Sequence, residues 1–444
     1  MSFAIDKQTL DDLNIFNKYS GNAIYNLFNK TQTRGGAEVL ENMFLYPLSD
    51  RDKITRRSEV IKYFQEKDVS FPFRTDAFDA IEYYLNNKDD RTKIAAEEDT
   101  LQRKFRNYIG TDTQYELLYK GIVAVIGLFN GMYTFLQEID ACTAYREEIK
   151  DIRSVLENEQ LSWIYKENGT RKIAYAKTAE YDQILRFTSR DLITKLLYHI
   201  YNLDVYIAVA KVGRSKGFTF AQALEVADNT LYIEGMYHAQ LTNPVANTFE
   251  VNRNSNVIFL TGANMAGKST FMKTLGVTLF LAHMGFPVPA KSMKFSVQKG
   301  MFTTINLADN LSMGYSHFYA EVLRLKKVAE YVSRNEQVII IFDELFRGTN
   351  VKDAYDATIA VTEAFATKRN CTFIISTHII EAGEVLKKDC DNINFVYFPT
   401  VMNGNVPSYT YKLTPGITND RHGMMIINNE RIIERIRSRK NPVK

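Results

Sequence analysis

The distribution of apolar positions divides the chain into two halves with different periods. Between Pro72 and Pro244 no proline interrupts the sequence, and apolar residues recur at helical spacing: Leu192, Leu196 and Ile200 fall on one face, with Ile193 and Leu197 beside them. An apolar stripe of this kind predicts amphipathic helices that pack on one another, punctuated by residues such as Gly213. From about Asn256 the pattern changes to short apolar runs at residues 257–260, 338–342, 372–375 and 393–398, alternating with helical stretches at 268–283 and 353–368. β-rich runs of that length between helices predict a largely parallel sheet covered on both faces. The change of period near residue 245 separates a mostly α-helical N-terminal half, residues 1–245, from an α/β segment, residues 246–444.

A chain of 444 residues has room for more than one core, and 45% hydrophobic with 24% charged residues places it among globular proteins. Residues 121–136 are apolar apart from Asn130, with Gly127 and Gly131 at small-xxx-small spacing. That run falls short of the roughly 20 residues a bilayer demands, so it reads as a buried helix and no membrane partner is expected. Cys142, Cys371 and Cys390 are scattered, odd in number and without a C-x-x-C pair, which predicts reduced thiols and neither a disulfide framework nor a zinc site. The first residues lack the basic-then-apolar order of a signal peptide, and a cytoplasmic location is expected. Lys and Arg exceed Asp and Glu by a net charge of +3, which neither demands nor excludes nucleic acid.

Chemistry enters at Gly262-Ala263-Asn264-Met265-Ala266-Gly267-Lys268-Ser269, which fits G-x-x-x-x-G-K-[ST], follows a strand-like run and opens a helical stretch. That context is what phosphate binding requires, because backbone N–H groups at a helix N-terminus must surround the anion. Lys268 then neutralises β/γ-phosphate charge and the Ser269 hydroxyl ligates Mg²⁺, so ATP and Mg²⁺ are the expected ligands. Residues 338–342 deliver Asp343 and Glu344 to a strand's C-terminal end, Asp343 as a metal ligand through its water shell and Glu344 as general base toward water. Two acids after an apolar strand are common, and the phosphate loop upstream is what gives these a role. A third run, residues 372–377, ends at His378, placed to hydrogen-bond the γ-phosphate or the attacking water. The remaining histidines show no metal-ligand spacing.

These residues resemble one family, the MutS mismatch-repair ATPases. Thr261-Gly262-Ala263-Asn264-Met265-Ala266-Gly267-Lys268-Ser269-Thr270 looks like that family's T-G-P-N-M-G-G-K-S-T, including an Asn-Met pair that ordinary P-loops lack. Asp343-Glu344-Leu345-Phe346-Arg347-Gly348-Thr349 is similar to D-E-L-G-R-G-T, Ser376-Thr377-His378 to S-T-H, and Tyr411-Lys412-Leu413-Thr414-Pro415-Gly416 to a late Y-K-L-x-x-G strand, with Gly423 opening a closing helical segment. The segment running from Asp309 to Glu321 resembles the signature D-x-L-x-x-G-x-S-T-F-x-x-E, which implies that Ser316 touches the γ-phosphate held by the opposite subunit and that the site is composite and dimeric. Upstream, Leu10 to Asn14, Asn29 to Gly36 and Pro47-Leu48-Ser49-Asp50 look like the start of the family's helical core, with a T-x-x-G turn and a P-L-x-D lead into the next helix. The resemblance implies a helical core and lever segment, then an ABC-like P-loop NTPase domain ending in a helical dimerisation segment.

Departures from the family pattern remove no catalytic group. Ala263 and Ala266 stand for Pro and Gly in the phosphate loop, Phe346 for a glycine, and His317 for the signature threonine. If position 266 needs φ > 0, alanine there costs about 1 kcal/mol. The mismatch-reading and connector domains have no counterpart in the sequence, and between the helical segments around Leu161 and Asp191 there is too little chain for the clamp that closes over DNA. Two readings stay open. One is a dimeric ATPase, paired with itself or with a MutS-like partner subunit, whose levers act on DNA through basic groups such as Arg51, Lys53, Arg56, Arg57, Arg435, Arg437, Arg439 and Lys440. The other is an ATP-driven dimeric switch that acts on a protein or ribonucleoprotein partner without mismatch recognition.

Overall fold

A computed structural model describes residues 3–16, 22–94, 111–167, 172–225, 229–306, 317–403, 406–418 and 431–437. Among the described residues nine α-helices lead: α1 (Lys7–Asp12), α2 (Ile24–Phe28), α3 (Arg34–Leu45), α4 (Arg51–Lys67), α5 (Thr75–Asn86), α6 (Thr111–Ile139), α7 (Arg146–Leu156), α8 (Tyr175–Asp182) and α9 (Arg190–Lys216). Strands then alternate with helices: β1 (Gln222–Leu224), β2 (Leu231–Met236), β3 (Asn247–Val251), β4 (Val257–Gly262), α10 (Lys268–His283), β5 (Ser292–Ser296), β6 (Gly300–Thr304), α11 (His317–Ser333), β7 (Val338–Asp343), α12 (Val351–Ala366), β8 (Thr372–Ser376), α13 (Ile380–Asp389), β9 (Ile393–Phe398), β10 (Thr400–Asn403), β11 (Val406–Tyr409), β12 (Thr414–Pro415) and α14 (Ile432–Arg437). The chain forms two compact units, one of Phe28–Met43 and Glu59–Val212, the other of Met1–Leu27, Phe44–Ser58 and Gly213–Lys444.

The first unit is helical, as the apolar period predicts. Ile193, Leu196, Leu197 and Ile200 are buried along one side of α9. That helix continues through Gly213, where the sequence suggested an end. It stops at Gly217, whose φ of +66° lets the Phe218 N–H reach the Gly213 carbonyl at 2.9 Å. The apolar run at 121–136 lies inside α6, which is 29 residues long. Within it, Thr113–Ile139 is long and apolar enough to cross a membrane by length and composition, and half of its most apolar window is buried inside the protein. Flanking residues such as Tyr115 and Leu118 extend the helix beyond the apolar run, which is why the sequence reading underestimated it.

Two buried polar nodes fix this unit. Asp204 accepts the Gln32 and Thr33 N–H groups (3.0 and 2.8 Å) and the Thr33 hydroxyl (2.7 Å), capping α3 from another helix and giving the Thr-containing turn its shape. Burial raises the Asp204 carboxyl pKa, and these bonds pull it back. Arg186 lies in a π-helical turn, Gln183–Thr188, that follows α8. Its fully buried guanidinium forms a fork with Asp182 (2.8 and 2.5 Å) and donates to Thr92 and to the Asn87 carbonyl.

The second unit holds a six-stranded sheet of order β12-β9-β4-β8-β7-β6, parallel except for the two-residue β12. Strands β4, β6 and β8 are buried along their whole length, the burial expected of parallel strands covered on both faces. A four-stranded sheet of order β1-β5-β2-β3 and a β10–β11 hairpin complete it. Helix α10 is buried on every side except at Ser269, Thr270 and Lys273. At its C-terminus His283 is neutral and fixed in one tautomer: Nδ1–H donates to the Leu279 carbonyl (2.9 Å), and Nε2 accepts the Gln298 N–H (3.1 Å). Complete burial drives its pKa down to about 4.

Candidate active site

Strand β4 and helix α10 meet in the loop at 262–267, where the chain reverses beneath the C-terminal ends of the strands. Met265 takes φ +69° and Gly267, the N-cap of α10, φ +103°. Ala266 is buried and is absent from the positive-φ residues, so the strain contemplated for alanine at that position does not arise. Gly262 ends β4, while Asn264 and Met265 face solvent and Thr270 lies exposed in the first turn of α10. The ammonium of Lys268 donates to the Gly262 (2.9 Å) and Ala263 (3.2 Å) carbonyls, folding the side chain over its own loop. Burial lowers its pKa, and the nearby Glu344 and Asp343 carboxylates oppose that shift.

The second stretch arrives through strand order. β8 lies between β4 and β7, and Asp343 pairs in register with Ser376. This brings the Asp343 carboxylate to the phosphate loop, where the Ser269 hydroxyl donates to Oδ2 at 2.5 Å. The other oxygen, Oδ1, is buried without a hydrogen-bond partner. Burial raises the Asp343 pKa, and the Ser269 hydroxyl draws it back.

Such an orphaned buried oxygen beside a serine hydroxyl is a donor set for a hard cation. Among the described residues no group of three or more His, Cys, Asp and Glu side chains could hold a metal. The Ser269 hydroxyl and the Asp343 carboxylate have the chemistry of a Mg²⁺ site, in which an ion takes few protein ligands and completes its shell with phosphates and water.

Glu344 follows at φ +54°, its N–H donated to the Ser376 carbonyl at 3.0 Å. Its carboxylate meets His378 Nε2 at 2.6 Å, and Arg347 approaches at 3.5 Å. The hydrogen bond from His378 lowers the Glu344 pKa more than burial raises it, with Lys268 and Arg347 adding to the effect. Lys268, Ser269, Asp343, Glu344 and His378 thus converge from three strand ends. Ser316, assigned to this chemistry by resemblance, lies outside the described residues, as does Gly423.

Sequence reasoning missed the wall beside the loop. A cavity of about 410 Å³ adjoins Met265, Gly267 and Thr270 and is closed by Val245, Phe398 and Tyr411. Its volume and partly apolar walls suit a flat heterocycle. Tyr411 does not lie in a strand: residues 411–413 fall between β11 and β12, with Tyr411 at φ +54°. Asn247 holds them there, donating to the Tyr411 carbonyl (3.0 Å) and accepting the Leu413 N–H (2.7 Å). The signal was available only as the isolated Tyr-Lys-Leu match, because nothing in residues 236–247 has a distinctive spacing.

Comparison with known proteins agrees with this geometry. Residues 8–210 match the family model described as MutS domain III, and residues 258–441 match MutS domain V. The chain is 27% identical over 269 residues to the DNA mismatch repair protein MutS of Persephonella marina, covering 59% of this chain and 30% of that protein. It is 30% identical over 221 residues to MutS protein homolog 4 of Homo sapiens (46% and 23% covered), and 23% identical over 472 residues to the MutS of Petrotoga mobilis (85% and 57%). The chain therefore spans about 30% of the length of the first of these relatives. Two successive domain matches, in the family's order and with the nucleotide motifs inside the second, establish that the chain belongs to the MutS family and that its domain V is an ATPase domain.

Proposed function

We propose that this chain binds Mg-ATP, hydrolyses it in a composite site shared with a second copy or a MutS-like partner subunit, and uses closure of the paired ATPase domains to move its helical segment on DNA. The observation that carries the reading is the bond from Ser269 to Asp343, which joins two stretches distant in sequence at the ammonium of Lys268. Residues 262–270 surround the phosphates with backbone N–H groups, and Lys268 exchanges its loop carbonyls for phosphate oxygens. Ser269 and Asp343 would hold Mg²⁺, which would supply neutralisation of phosphate charge. Glu344 orients water and takes its proton, and His378 fixes the Glu344 carboxylate and senses the γ-phosphate. Ser316 reaches the nucleotide of the opposite subunit, and the protein works in the cytoplasm.

Replacing Glu344 by Gln tests the assignment: nucleotide binding should persist while turnover falls to background. Turnover that survives in this variant removes Glu344 as the base. The DNA half is tested by ATPase rate and binding with duplex, branched and single-stranded DNA across a salt series. Absence of both stimulation and salt-dependent binding refutes it.

One observation favours the second reading, a protein or ribonucleoprotein partner. Of the basic groups offered to DNA, Arg51 pairs with Asp52 and Glu225, and Arg57 donates to the Met284 carbonyl. A partner that stays bound after nuclease digestion would select that reading.

A further inference from the structure

Among the described residues, Asp343 Oδ1 and the Ser376 hydroxyl oxygen are both buried without a hydrogen-bond partner, and they lie on neighbouring strands. Asp343 ends β7, Ser376 ends β8, and the two residues pair in register. Side chains alternate between the faces of a strand, so residues paired across adjacent strands project from the same face. The hydroxyl and the carboxylate therefore occupy adjacent positions on one face of the sheet. On its other flank Ser376 pairs with Leu260, which offers no side-chain acceptor. Ser376 is fully buried. A buried hydroxyl left unbonded costs about 1–3 kcal/mol, and alanine would fill the same strand position without that cost. A serine there calls for an acceptor, and the Asp343 carboxylate is the one beside it.

The carboxylate calls for the same bond from its own side. Its Oδ2 accepts the Ser269 hydroxyl at 2.5 Å. Burial raises the Asp343 pKa, and the hydroxyls of Ser269 and Ser376 draw it back. With one oxygen held, the group can still turn about its Cβ–Cγ bond; a donor on Oδ1 stops that turn and leaves Oδ2 facing the phosphate loop. The Ser376 backbone is already fixed, since its carbonyl accepts the Glu344 N–H at 3.0 Å and the next N–H, of Thr377, bonds the Leu260 carbonyl at 3.2 Å. Rotation of one serine side chain between staggered wells is then the only movement the bond requires.

We propose that Ser376 is a positioning residue for the metal–nucleotide complex: its hydroxyl donates to Asp343 Oδ1 and so keeps Oδ2 on the side of Ser269, where the carboxylate would meet the metal of a bound nucleotide. The inference rests on the ATPase reading above and adds to it a residue that acts only through Asp343. Loss of a hydrogen-bond partner behind a metal-ligating side chain typically lowers metal affinity by about 10–100-fold.

The test uses the full chain, a non-hydrolysable ATP analogue, and Mn²⁺ as a paramagnetic stand-in for Mg²⁺, with bound metal measured by electron paramagnetic resonance. Ser376→Ala should raise the Mn²⁺ dissociation constant about ten-fold, whereas Ser376→Thr, which keeps the hydroxyl, should stay within about three-fold of the parent. Binding of the analogue in EDTA should be the same in all three proteins, because residues 262–270 are untouched. A Ser376→Ala protein with parental Mn²⁺ affinity overturns the inference. So does a Ser376→Thr protein as weak as the alanine variant, which would assign the effect to packing, and so does an equal loss of analogue binding in EDTA, which would assign it to the phosphate loop. If Ser376→Thr does not fold, Ser376→Ala decides by the metal and EDTA readouts together. A parent chain that binds no nucleotide overturns the ATPase reading and this inference together, whereas a parent that binds analogue and Mn²⁺ and is matched by Ser376→Ala overturns this inference alone.

Discussion

Phe346 places two opposing terms on one residue, and their difference is measurable. Its backbone lies at φ +62°, in the region where a β-carbon meets the following carbonyl, at a cost of about 1–2 kcal/mol for a non-glycine residue. Its ring is buried at 3% exposure in the core between β7 and its neighbouring helices, 6.1 Å from the ring of Phe318. Truncating a buried phenylalanine costs about 3–5 kcal/mol. Phe346→Ala loses the ring and keeps the strained β-carbon, so the full cost should appear. Phe346→Gly loses the same ring but releases the strain, and should be more stable than the alanine variant by about 1 kcal/mol. That order reverses the usual one, in which glycine is the weaker substitute. Urea unfolding of both variants, compared at equal m-values, measures the difference. ATP turnover adds a second readout, because Glu344 shares the turn and should be better held in the glycine variant. An alanine variant as stable as the glycine variant, or more so, would refute the backbone assignment and the argument built on it.

Three further outcomes follow from features described above. His283 has a folded pKa of about 4 against 6.5 unfolded, so the native state binds fewer protons between these values. Its contribution is whole above pH 6.5 and is lost as pH falls through 4, about 3 kcal/mol in all, and His283→Gln should flatten that part of the urea midpoint–pH curve relative to the parent. Arg186→Met strands the Asp182 carboxylate in the helical unit and should cost about 3–5 kcal/mol by denaturation, with Asp182→Asn in the same chain recovering part of it. Chelation by EDTA should abolish ATP turnover, with recovery on adding magnesium, and Ser269→Ala should raise the magnesium concentration needed for half recovery; turnover indifferent to chelation would remove the metal from Ser269 and Asp343.

Strands β4, β7 and β8 were legible because they are buried nearly throughout and so read as continuous apolar runs at 257–260, 338–342 and 372–375, and β9 fits its run at 393–398 although it is only partly buried; β6, fully buried, was missed because its glycine and two threonines break the apolar pattern. The phosphate loop and acidic pair were legible for a different reason: their chemistry demands fixed residue types at fixed spacing. What was hidden depends on long-range partners. Nothing local in residues 3–12 announces that Asp6 and Asp12 serve a strand and a helix some 300 positions away, since each reads as an ordinary cap or surface acid. The helix end at Gly217 was misplaced for a smaller reason: glycine is tolerated within a helix at modest cost, and only the backbone angle separates Gly213 from Gly217. Asn247, which holds Tyr411 against the cavity, sits in a stretch with neither periodicity nor motif.

Among the described residues, both flanks of the six-stranded sheet are at least partly engaged. On one flank the backbone groups of β6 are consumed by the polypeptide's own beginning, and on the other a dipeptide ending in Pro415 presents almost nothing to continue the ladder. Strand addition at the β6 flank would therefore have to displace the bonds made by Ala4 and Thr9. Closure of paired domains as proposed above, made through loops and helix ends, would leave these ladders intact and cost the fold nothing in unpaired amides.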